Sequence, residues 1–470
     1  MRVTAQATGR RAPGAGLGGV LSGARARWGA LSALYALVAA VLTVRFMALH
    51  SALSPIDEFT YVDAVDKARR GVVVVNGLKT DQYARQLAAC RGVGTAPETV
   101  IYQGTCGPHI PDAQTFVNGF TPGDVHSPVY YFLTSWLSWP LEKLFGVELL
   151  TAGRLTSLVW LWAGMIACGV LVRRLGARWS LVAALPCLVV AMPVFRGTNA
   201  YITPDALNLL AGSLIALAAY LYARGEAGPL PLVVLGAVFG TVKLQNVFAV
   251  AAAALFLVIY HVVGAWSGAR SGTEPRTRGV PDLAGRSWPA AVARLGGVLL
   301  VPLVFSVAWL AARPYLGHND PTRPTLDPPP SGSVTQYLYS LDDALMGVFA
   351  GIDGGTGAAA PWSVFPSFLL WGVLAAIIAT AMFDVPTTTL GRCQAWAVLV
   401  SFVCIGPAMQ MMFAVVFHAA VIVLPRYVMV LIPMMLIPTV ERCQGAAARR
   451  TLVLLAAASV AYGVLFPLTR

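Results

Sequence analysis

Long apolar runs recur along almost the whole chain, separated by short polar segments. The first run, Trp28–Leu49, contains a single charged residue, Arg45. An α-helix needs about 20 predominantly apolar residues to cross a bilayer, so this run predicts a transmembrane helix. Arg45, about one turn from its outer end, can extend its guanidinium to the membrane surface. Further spans are predicted at Leu155–Val172, Ser180–Phe195, Asp205–Tyr222, Leu230–Val242, Val247–Val263, Leu295–Ala312, Val364–Phe383, Ala395–Val416, Ala420–Val440 and Thr451–Phe466.

The apolar runs predict an all-α polytopic membrane protein with about eleven transmembrane helices. Composition agrees, because 57% of the 470 residues are hydrophobic and only 11% are charged. A soluble domain carries about 25% charged residues. The net charge of +12 could indicate nucleic-acid binding. We assign most basic residues to cytoplasmic loops instead, so the expected partner is the lipid bilayer and not nucleic acid.

Arginine-rich loops set the expected orientation in the cell membrane. Short loops with several arginines lie at 173–178 and 442–450, and a longer basic loop covers 265–294. Such loops face the cytoplasm in most membrane proteins. We therefore expect a disordered cytoplasmic tail over 1–27, a single transmembrane domain over 28–467, and long outer loops at 50–126 and 313–362. No repeat of 20–50 residues is apparent, so the sequence gives no support to a repeat-built transporter.

The first outer loop is predicted to contain interfacial helices. Val129–Phe145 is rich in Tyr and Trp but is interrupted by Pro140 and Glu142. Tyr and Trp favour the membrane surface, so this segment is interpreted as a helix lying at the interface. A full span is the alternative, but it would place the arginines of 173–178 outside. A second helix is expected from Pro55 to about Arg70.

Cysteines are few and scattered. The chain has seven, with no CxxC pair, which disfavours a zinc or redox motif. Cys90 and Cys106 share the first outer loop. An extracytoplasmic loop permits a disulfide between them, and the sequence leaves open whether it forms.

An acidic pair, Asp57-Glu58, follows the first span within Ser54-Pro55-Ile56-Asp57-Glu58-Phe59. Charges beside a bilayer are costly, so they are candidates for function by default. The structural alternative is a capping box, with Ser54 as N-cap, Pro55 in the first helical position and Asp57 in the third. That alternative leaves Glu58 without a role.

Four other polar residues near predicted span ends are candidates for a ligand role. His126 precedes Ser127-Pro128, which by themselves form a helix start, so His126 is either a solvated loop residue or a ligand. Asp205 follows Thr203-Pro204, another helix start. Lys243 joins two spans and either reaches for the membrane surface or holds a phosphate. Arg426 begins a span from the outside, against the positive-inside trend, which favours a ligand role.

These motifs together resemble the GT-C superfamily of membrane glycosyltransferases, which use polyprenyl-phosphate sugars. The resemblance is to bacterial proteins related to the protein O-mannosyltransferases and the aminoarabinose transferase. It rests on Pro55-Ile56-Asp57-Glu58-Phe59, on the string from His126 to Phe132, on Arg173-Arg174 after a span, on Thr241-Val242-Lys243, and on Pro425-Arg426-Tyr427. The chain departs from the group in having His-Ser-Pro where relatives often have His-Pro-Pro. It also lacks a large soluble C-terminal domain, which disfavours an enzyme of the oligosaccharyltransferase kind.

The resemblance implies an inverting transfer of a sugar, at the outer face, from a polyprenyl phosphate to a cell-envelope acceptor that is a glycan, lipid or protein. Asp57 is then the general base, and Glu58 orients the helix, binds acceptor or shares a metal. Arg426 and Lys243 stabilise the phosphate leaving group, with His126 and Asp205 as further substrate-binding residues. No cofactor is certain. A divalent metal on His126, Asp57 and Glu58 is an open alternative, because the ligand types suit one but the spacing specifies none.

Two other classes compete with the enzyme. In a transporter or lipid flippase, Asp57, Asp205, Lys243 and Arg426 would line a path across the membrane. In a non-catalytic assembly protein, Asp57-Glu58 would be a helix cap only. Convergence of Asp57, His126, Lys243 and Arg426 in one cavity at the outer end favours the enzyme, whereas polar residues distributed across the bilayer favour transport.

Overall fold

The computed structural model describes residues 17–54, 57–93, 105–271, 288–318, 320, 338, 364–383, 387–417 and 425–465. Within these ranges the regular elements are helices joined by turns, together with two isolated β-bridges. The α-helices are α1 Leu17–Leu49, α2 Glu58–Arg69, α3 Gln82–Arg91, α4 Pro128–Phe145, α5 Leu149–Arg174, α6 Trp179–Val190, α7 Pro193–Thr198, α8 Asn208–Ala223, α9 Leu230–Val242, α10 Val247–Ser271, α11 Trp288–Leu316, α12 Val364–Met382, α13 Thr389–Phe417, α14 Ile432–Arg442 and α15 Ala446–Leu465.

Seven helices in the described ranges are long and apolar enough to cross a membrane. They are Gly23–Leu49, Leu149–Arg174, Pro204–Ala223, Leu244–Gly264, Pro289–Leu316, Thr389–Met412 and Ala446–Leu465. Three shorter apolar helices accompany them: Trp179–Val190, Leu230–Val242 and Gly372–Met382. An all-helical, multi-pass architecture is thus confirmed, but the predicted count of eleven spans is not.

Two of the predicted spans differ in the structure, and a proline accounts for the first difference. The expected span Ser180–Phe195 is divided, because α6 ends at Val190 and the short α7 begins at Pro193. Proline lacks an N–H and is tolerated in the first turn of a helix, so it favours a new start there. The expected span Ala420–Val440 consists, in its described part, of two 3₁₀ turns, Pro425–Tyr427 and Met429–Leu431, followed by α14.

Several predicted segments fall partly or wholly outside the described residues. These are 1–16 of the expected tail, Pro55 and Ile56, part of the cytoplasmic loop 265–294, and most of the outer loop 313–362. The α1 helix begins at Leu17, so the part of the expected disordered tail that is described is helical.

Helix α5 lies at the centre of the bundle and packs against α1, α4, α6 and α8. Helix α8 in turn packs against α10 and the 3₁₀ turn Met429–Leu431. Gly212 of α8 directly faces the backbone carbonyl of Val430, where the Cβ of any other residue would collide with it. Small residues allow such close approach between segments in membrane proteins. This contact brings the segment that follows Arg426 against α8.

The segment 50–126, which the sequence predicts to be the first outer loop, packs over one end of the bundle in its described residues. Its helices α2 and α3 share an apolar core with α4 and α5, in which Val62, Leu87, Tyr131 and Leu150 are buried. Cys90 and Cys106 form a disulfide with a Cα–Cα distance of 4.6 Å. The predicted helix at Val129–Phe145 is confirmed as α4 and is not among the seven candidate spans. Its position at a membrane interface stays a prediction.

The predicted capping box at Ser54 is wrong. Helix α2 begins at Glu58, with Asp57 in the N-cap position, and the Asp57 side chain makes no capping hydrogen bond. Instead the Ser54 N–H donates to Oε2 of Glu58 at 2.8 Å. The helix begins later than expected because the backbone of Asp57 is left-handed and cannot belong to a right-handed helix.

Candidate functional site

Asp57 occupies an unusual backbone position at the start of α2. Its φ of 62° and ψ of −1° lie in the left-handed region. An L-residue other than glycine pays on the order of 1 kcal/mol for this conformation, although Asp tolerates it better than most. The side chain is 45% exposed, and Arg426 Nη2 donates to its Oδ2 at 3.0 Å. The carboxylate is therefore held by one cation and open to solvent.

Arg426 connects Asp57 with a second acid. Its guanidinium is 8% exposed, and Nε lies 3.5 Å from Oδ2 of Asp205. The backbone carbonyl of Arg426 accepts a hydrogen bond from Asn208 Nδ2 at 3.0 Å. The Tyr427 ring centroid lies 5.3 Å from Arg426 Cζ and 4.9 Å from Lys243 Nζ. Arg426 is thus fixed at both its backbone and its head group, with an aromatic face shared by two cations.

Asp205 is fully buried at the start of the span that includes α8 and binds both cations. Lys243 Nζ donates to its Oδ1, and Asn208 Nδ2 donates to the same oxygen at 3.0 Å. The Thr203 hydroxyl donates to Oδ2 at 3.2 Å. Lys243 itself is 1% exposed. A buried charge is stable only when paired and hydrogen-bonded, so Asp205 holds Lys243 and Arg426 together as a pair of cations.

His126 lies next to this group. Its Nε2 is 3.3 Å from the hydroxyl of Tyr61. Burial lowers the pKa of His126 to about 3, with the neighbouring Lys243 cation acting in the same direction. Burial, reinforced by the Asp57 carboxylate, raises the pKa of Tyr61 well above its ordinary value. At neutral pH both side chains are therefore uncharged and serve as hydrogen-bonding groups at the edge of the charged cluster.

Arg313 and Trp309 of α11 hold the turn before His126. Trp309 Nε1 donates to the Asp124 carbonyl at 2.9 Å, and Arg313 Nη1 donates to Asp124 Oδ2 at 3.0 Å. Beyond α11, the His318 N–H donates to the Asn76 carbonyl at 3.0 Å. The predicted first outer loop is thus joined to α11 and to His318 just beyond it.

Glu58 is buried and engaged by several donors. Arg154 of α5 donates to both of its carboxylate oxygens, at 2.8 Å and 2.7 Å. The N–H groups of Ser54 and Ile202 donate to the same carboxylate, at 2.8 Å and 3.0 Å. Arg154 also donates to the carbonyls of His50 and Ala52. The pair therefore ties the end of α1, the start of α2, α5 and the loop before α8 into one unit.

Several of the predicted site residues lie together in one cluster, whereas their placement in a cavity at the outer face stays a prediction. Asp57 contacts Arg426, Arg426 contacts Asp205, and Asp205 contacts Lys243. His126 lies within electrostatic range of Lys243, Asp205 and Arg426. Sequence reasoning missed Tyr61, Arg313 and Tyr427. Only Tyr427 carried a signal, as the neighbour of Arg426 in Pro-Arg-Tyr.

The residues considered for a metal do not form a ligand set. The described ranges contain no group of three or more His, Cys, Asp or Glu side chains placed to hold an ion. Both oxygens of Glu58 accept hydrogen bonds from Arg154, so this carboxylate is committed to a cation of the protein.

Comparisons with known proteins give limited similarity. No family model matches the chain, and no curated protein matches it. Among solved structures, the crystal structure of ArnT from Cupriavidus metallidurans bound to undecaprenyl phosphate is similar, with a TM-score of 0.46 and 15% sequence identity. The match covers 90% of this chain and 62% of the other, so the chain spans less than two thirds of that protein.

The fold and the site define a class of protein. It is a multi-pass α-helical membrane protein in which a buried network of one acid, Asp205, and two cations, Lys243 and Arg426, meets one half-exposed carboxylate, Asp57. The network is assembled from the first outer loop, α8, the α9–α10 junction and the segment before α14.

Proposed function

We propose that this chain is a membrane glycosyltransferase of the GT-C type, which moves a sugar from a polyprenyl-phosphate donor to a cell-envelope acceptor with inversion. The observation that supports this most is the convergence of Asp57, Asp205, Lys243 and Arg426 at the end of the bundle covered by the first outer loop. The resemblance of the motifs around these residues to that superfamily supplies the reaction class. Under the proposed orientation this end is the outer face of the cell membrane.

Asp57 has the properties of a general base. An acceptor hydroxyl must lose its proton as its oxygen attacks the anomeric carbon, and a carboxylate within hydrogen-bond reach can take it. One oxygen of Asp57 is bound to Arg426, and the side chain is otherwise open to solvent. The exposed part of this carboxylate can meet an acceptor hydroxyl without unfolding the loop.

Lys243 and Arg426 have the properties of a phosphate site. The bond between the anomeric carbon and the phosphate oxygen breaks as the acceptor attacks, and the lipid phosphate leaves with increased negative charge. Preorganised cations in a water-poor site stabilise such charge strongly. Asp205 fixes both cations in advance, so we assign it a positioning role for substrate binding.

The Asp57–Arg426 ion pair links binding of the donor phosphate to deprotonation of the acceptor hydroxyl. A phosphate that binds Arg426 competes with Asp57 for the same guanidinium. Donor binding would then release the carboxylate from its cation and free it for the acceptor. His126 and Tyr61, both neutral, are placed to hydrogen-bond the substrates beside Asp57.

Glu58 is assigned to positioning and not to the chemistry. Its carboxylate is buried and bound by Arg154, so an acceptor cannot reach it without breaking that pair. The pair fixes the residue next to Asp57 in the chain. We infer that it holds Asp57 in its left-handed conformation toward Arg426.

The alternative class is a transporter or lipid flippase. A transport path needs polar groups distributed across the bilayer. The candidate residues are instead bonded to one another in a single cluster, which favours chemistry at one surface. The protein would then hold its donor by the phosphate while the acceptor arrives from the aqueous side.

The test is sugar transfer by the purified full chain, with a panel of polyprenyl-phosphate sugars and envelope acceptors. We expect transfer from at least one donor, and a loss of at least about 10²-fold in Arg426→Gln, the scale seen when a group that stabilises developing charge is removed. Arg70→Gln is the matched control, because Arg70 is half-exposed and paired with Asp66 and Asp81 away from Arg426. Absence of transfer from every donor, combined with lipid movement between leaflets in proteoliposomes, would establish the transporter instead.

A further inference from the structure

Arg196 lies in a buried position that the proposed reaction does not use. It belongs to the short helix α7, and its side chain is 3% exposed. Nη1 donates to the Gly463 carbonyl at 3.1 Å, whereas Nε and Nη2 have no hydrogen-bond partner among the residues that the structure describes. Arginine stays protonated in proteins, so a fixed positive charge with two unsatisfied donor groups is buried here.

A second arginine reaches the same end of α15. Arg45 of α1 is exposed, and its Nε donates to the Val464 carbonyl at 3.4 Å. Gly463 and Val464 are consecutive residues, so the two guanidiniums meet at the last turn of α15, which ends at Leu465. A Cβ at position 463 would come within 3.2 Å of Arg196 Nη1, so the glycine allows the arginine to lie against the helix.

The charges at this point do not balance. The last carbonyls of a helix carry the equivalent of about half a negative charge, which favours a nearby cation. Two guanidiniums bring two positive charges. Helices α1, α7 and α15 contain no acidic residue. A buried cation is costly unless an anion is close, so the surroundings of Arg196 and Arg45 fit a negatively charged ligand.

The neighbouring surface indicates a lipid. Val44 of α1 and Leu465 of α15 are exposed next to the residues where the arginines lie, and Leu37 and Leu454 are exposed further along the same two helices. The two helices pack together, and both are candidate membrane spans. A ligand with an anionic head and hydrocarbon chains would meet the arginines with its head and these side chains with its tails. A free anion would contact only the arginines and not the apolar side chains.

We propose that Arg45 and Arg196 form a binding site for the phosphate headgroup of an anionic membrane lipid, with its acyl chains lying along α1 and α15. Arg45 is exposed and Arg196 is buried, and the two donate to consecutive carbonyls of α15. The site lies at the same end of α1 as the Asp57 cluster, since that helix leads directly into Ser54 and Asp57, and α7 packs against the turns that carry Asp205 and Arg426. The proposal does not depend on the glycosyltransferase assignment.

The experiment measures lipid binding by the purified full chain in detergent, by native mass spectrometry with phosphatidylglycerol and with phosphatidylcholine. We expect tighter binding of phosphatidylglycerol, and a fall of about ten-fold in that affinity for both Arg45→Gln and Arg196→Met, as for loss of a charge-assisted hydrogen bond. Arg27→Gln is the matched control. It makes the same change at an exposed arginine at the other end of α1, and it should leave the affinity unchanged.

Three outcomes would overturn the proposal. Unchanged phosphatidylglycerol binding in both variants would leave the arginines as caps of α15. An equal loss in Arg27→Gln would show only a general charge effect. Displacement of phosphatidylglycerol by low millimolar inorganic phosphate would show that the site binds a free anion and not a lipid. Because Arg45 is exposed, Arg45→Gln keeps the test decisive even if Arg196→Met fails to fold.

Discussion

Arg426 donates a hydrogen bond to Asp57 across 369 residues of sequence, at 3.0 Å. The contact joins the start of the first outer loop to the segment before α14. The half-exposed carboxylate of Asp57 is thereby bound to a buried cation, Arg426. The same guanidinium also contacts the buried carboxylate of Asp205.

The buried pair of Glu58 and Arg154 should be important for stability. Replacing Glu58 by Gln leaves a buried guanidinium without its counter-charge, which costs about 3–5 kcal/mol in comparable sites. Glu148→Gln is the control, because Glu148 pairs with Arg91 at a partly exposed position, where an ion pair contributes about 0–1 kcal/mol. Thermal unfolding in detergent compares the two variants. Equal shifts would contradict a structural role for Glu58.

The disulfide between Cys90 and Cys106 should stabilise the first outer loop. The two residues are separated by 16 positions, and closing a loop of this length contributes about 3 kcal/mol in the chain-entropy model. The Cys90→Ser variant should therefore unfold at lower temperature than the oxidised parent. Cys404→Ser, at an exposed free cysteine, should not change the unfolding temperature. Two free thiols at positions 90 and 106 in the purified protein would refute the pairing.

His126 should make stability depend on pH in a defined direction. Its folded-state pKa is lowered to about 3, mainly by burial, from an ordinary value near 6.5. The stability that neutral His126 provides is fully present above about pH 6.5 and is lost as pH falls toward 3, because the unfolded chain binds the proton more readily. His126→Gln should reduce the loss of unfolding temperature between pH 7 and pH 5. An identical pH profile in the variant and the parent would exclude this.

Some parts of the fold could be predicted from the sequence because apolar runs of sufficient length have few alternatives. The spans at α1, α5, α10 and α11 are of this kind. The broken span at α6 and α7 was not predicted, because a proline in an apolar run is compatible with either a kink or a stop. The start of α2 was also missed, since the string Ser-x-x-Asp predicts a cap and contains no sign that Arg154 would bind Glu58.

The charged residues of the site could be predicted from the sequence, but the ion pairs and hydrogen bonds between them could not. Asp57, Asp205, Lys243 and Arg426 were recognisable as charges beside apolar runs. Their bonds were not, because each depends on contacts between segments up to 369 residues apart. Tyr61 and Arg313 had no signal at all. A tyrosine on an amphipathic helix and an arginine at a span end have many ordinary roles.

The last prediction concerns Asp57, where the catalytic and structural roles separate most clearly. Asn has the same shape and also tolerates the left-handed backbone, so Asp57→Asn should preserve the start of α2. The side chain is 45% exposed and makes no capping hydrogen bond, so the stability cost should stay within about 1 kcal/mol, as for a surface ion pair. The amide cannot take a proton from an acceptor hydroxyl. Transfer should therefore fall about 10²–10⁴-fold, the usual contribution of a general base.

The control for Asp57→Asn is Asp66→Asn, the same change on the same helix. Asp66 pairs with Arg70 at 3.0 Å, an exposed contact that the proposed reaction does not use. Both variants should be recovered from the membrane in similar yield and with similar unfolding temperature, and only Asp57→Asn should lose transfer per folded protein. If Asp57→Asn kept near-normal activity, the base would have to be another group, and Asp57 would be reduced to a partner that neutralises Arg426.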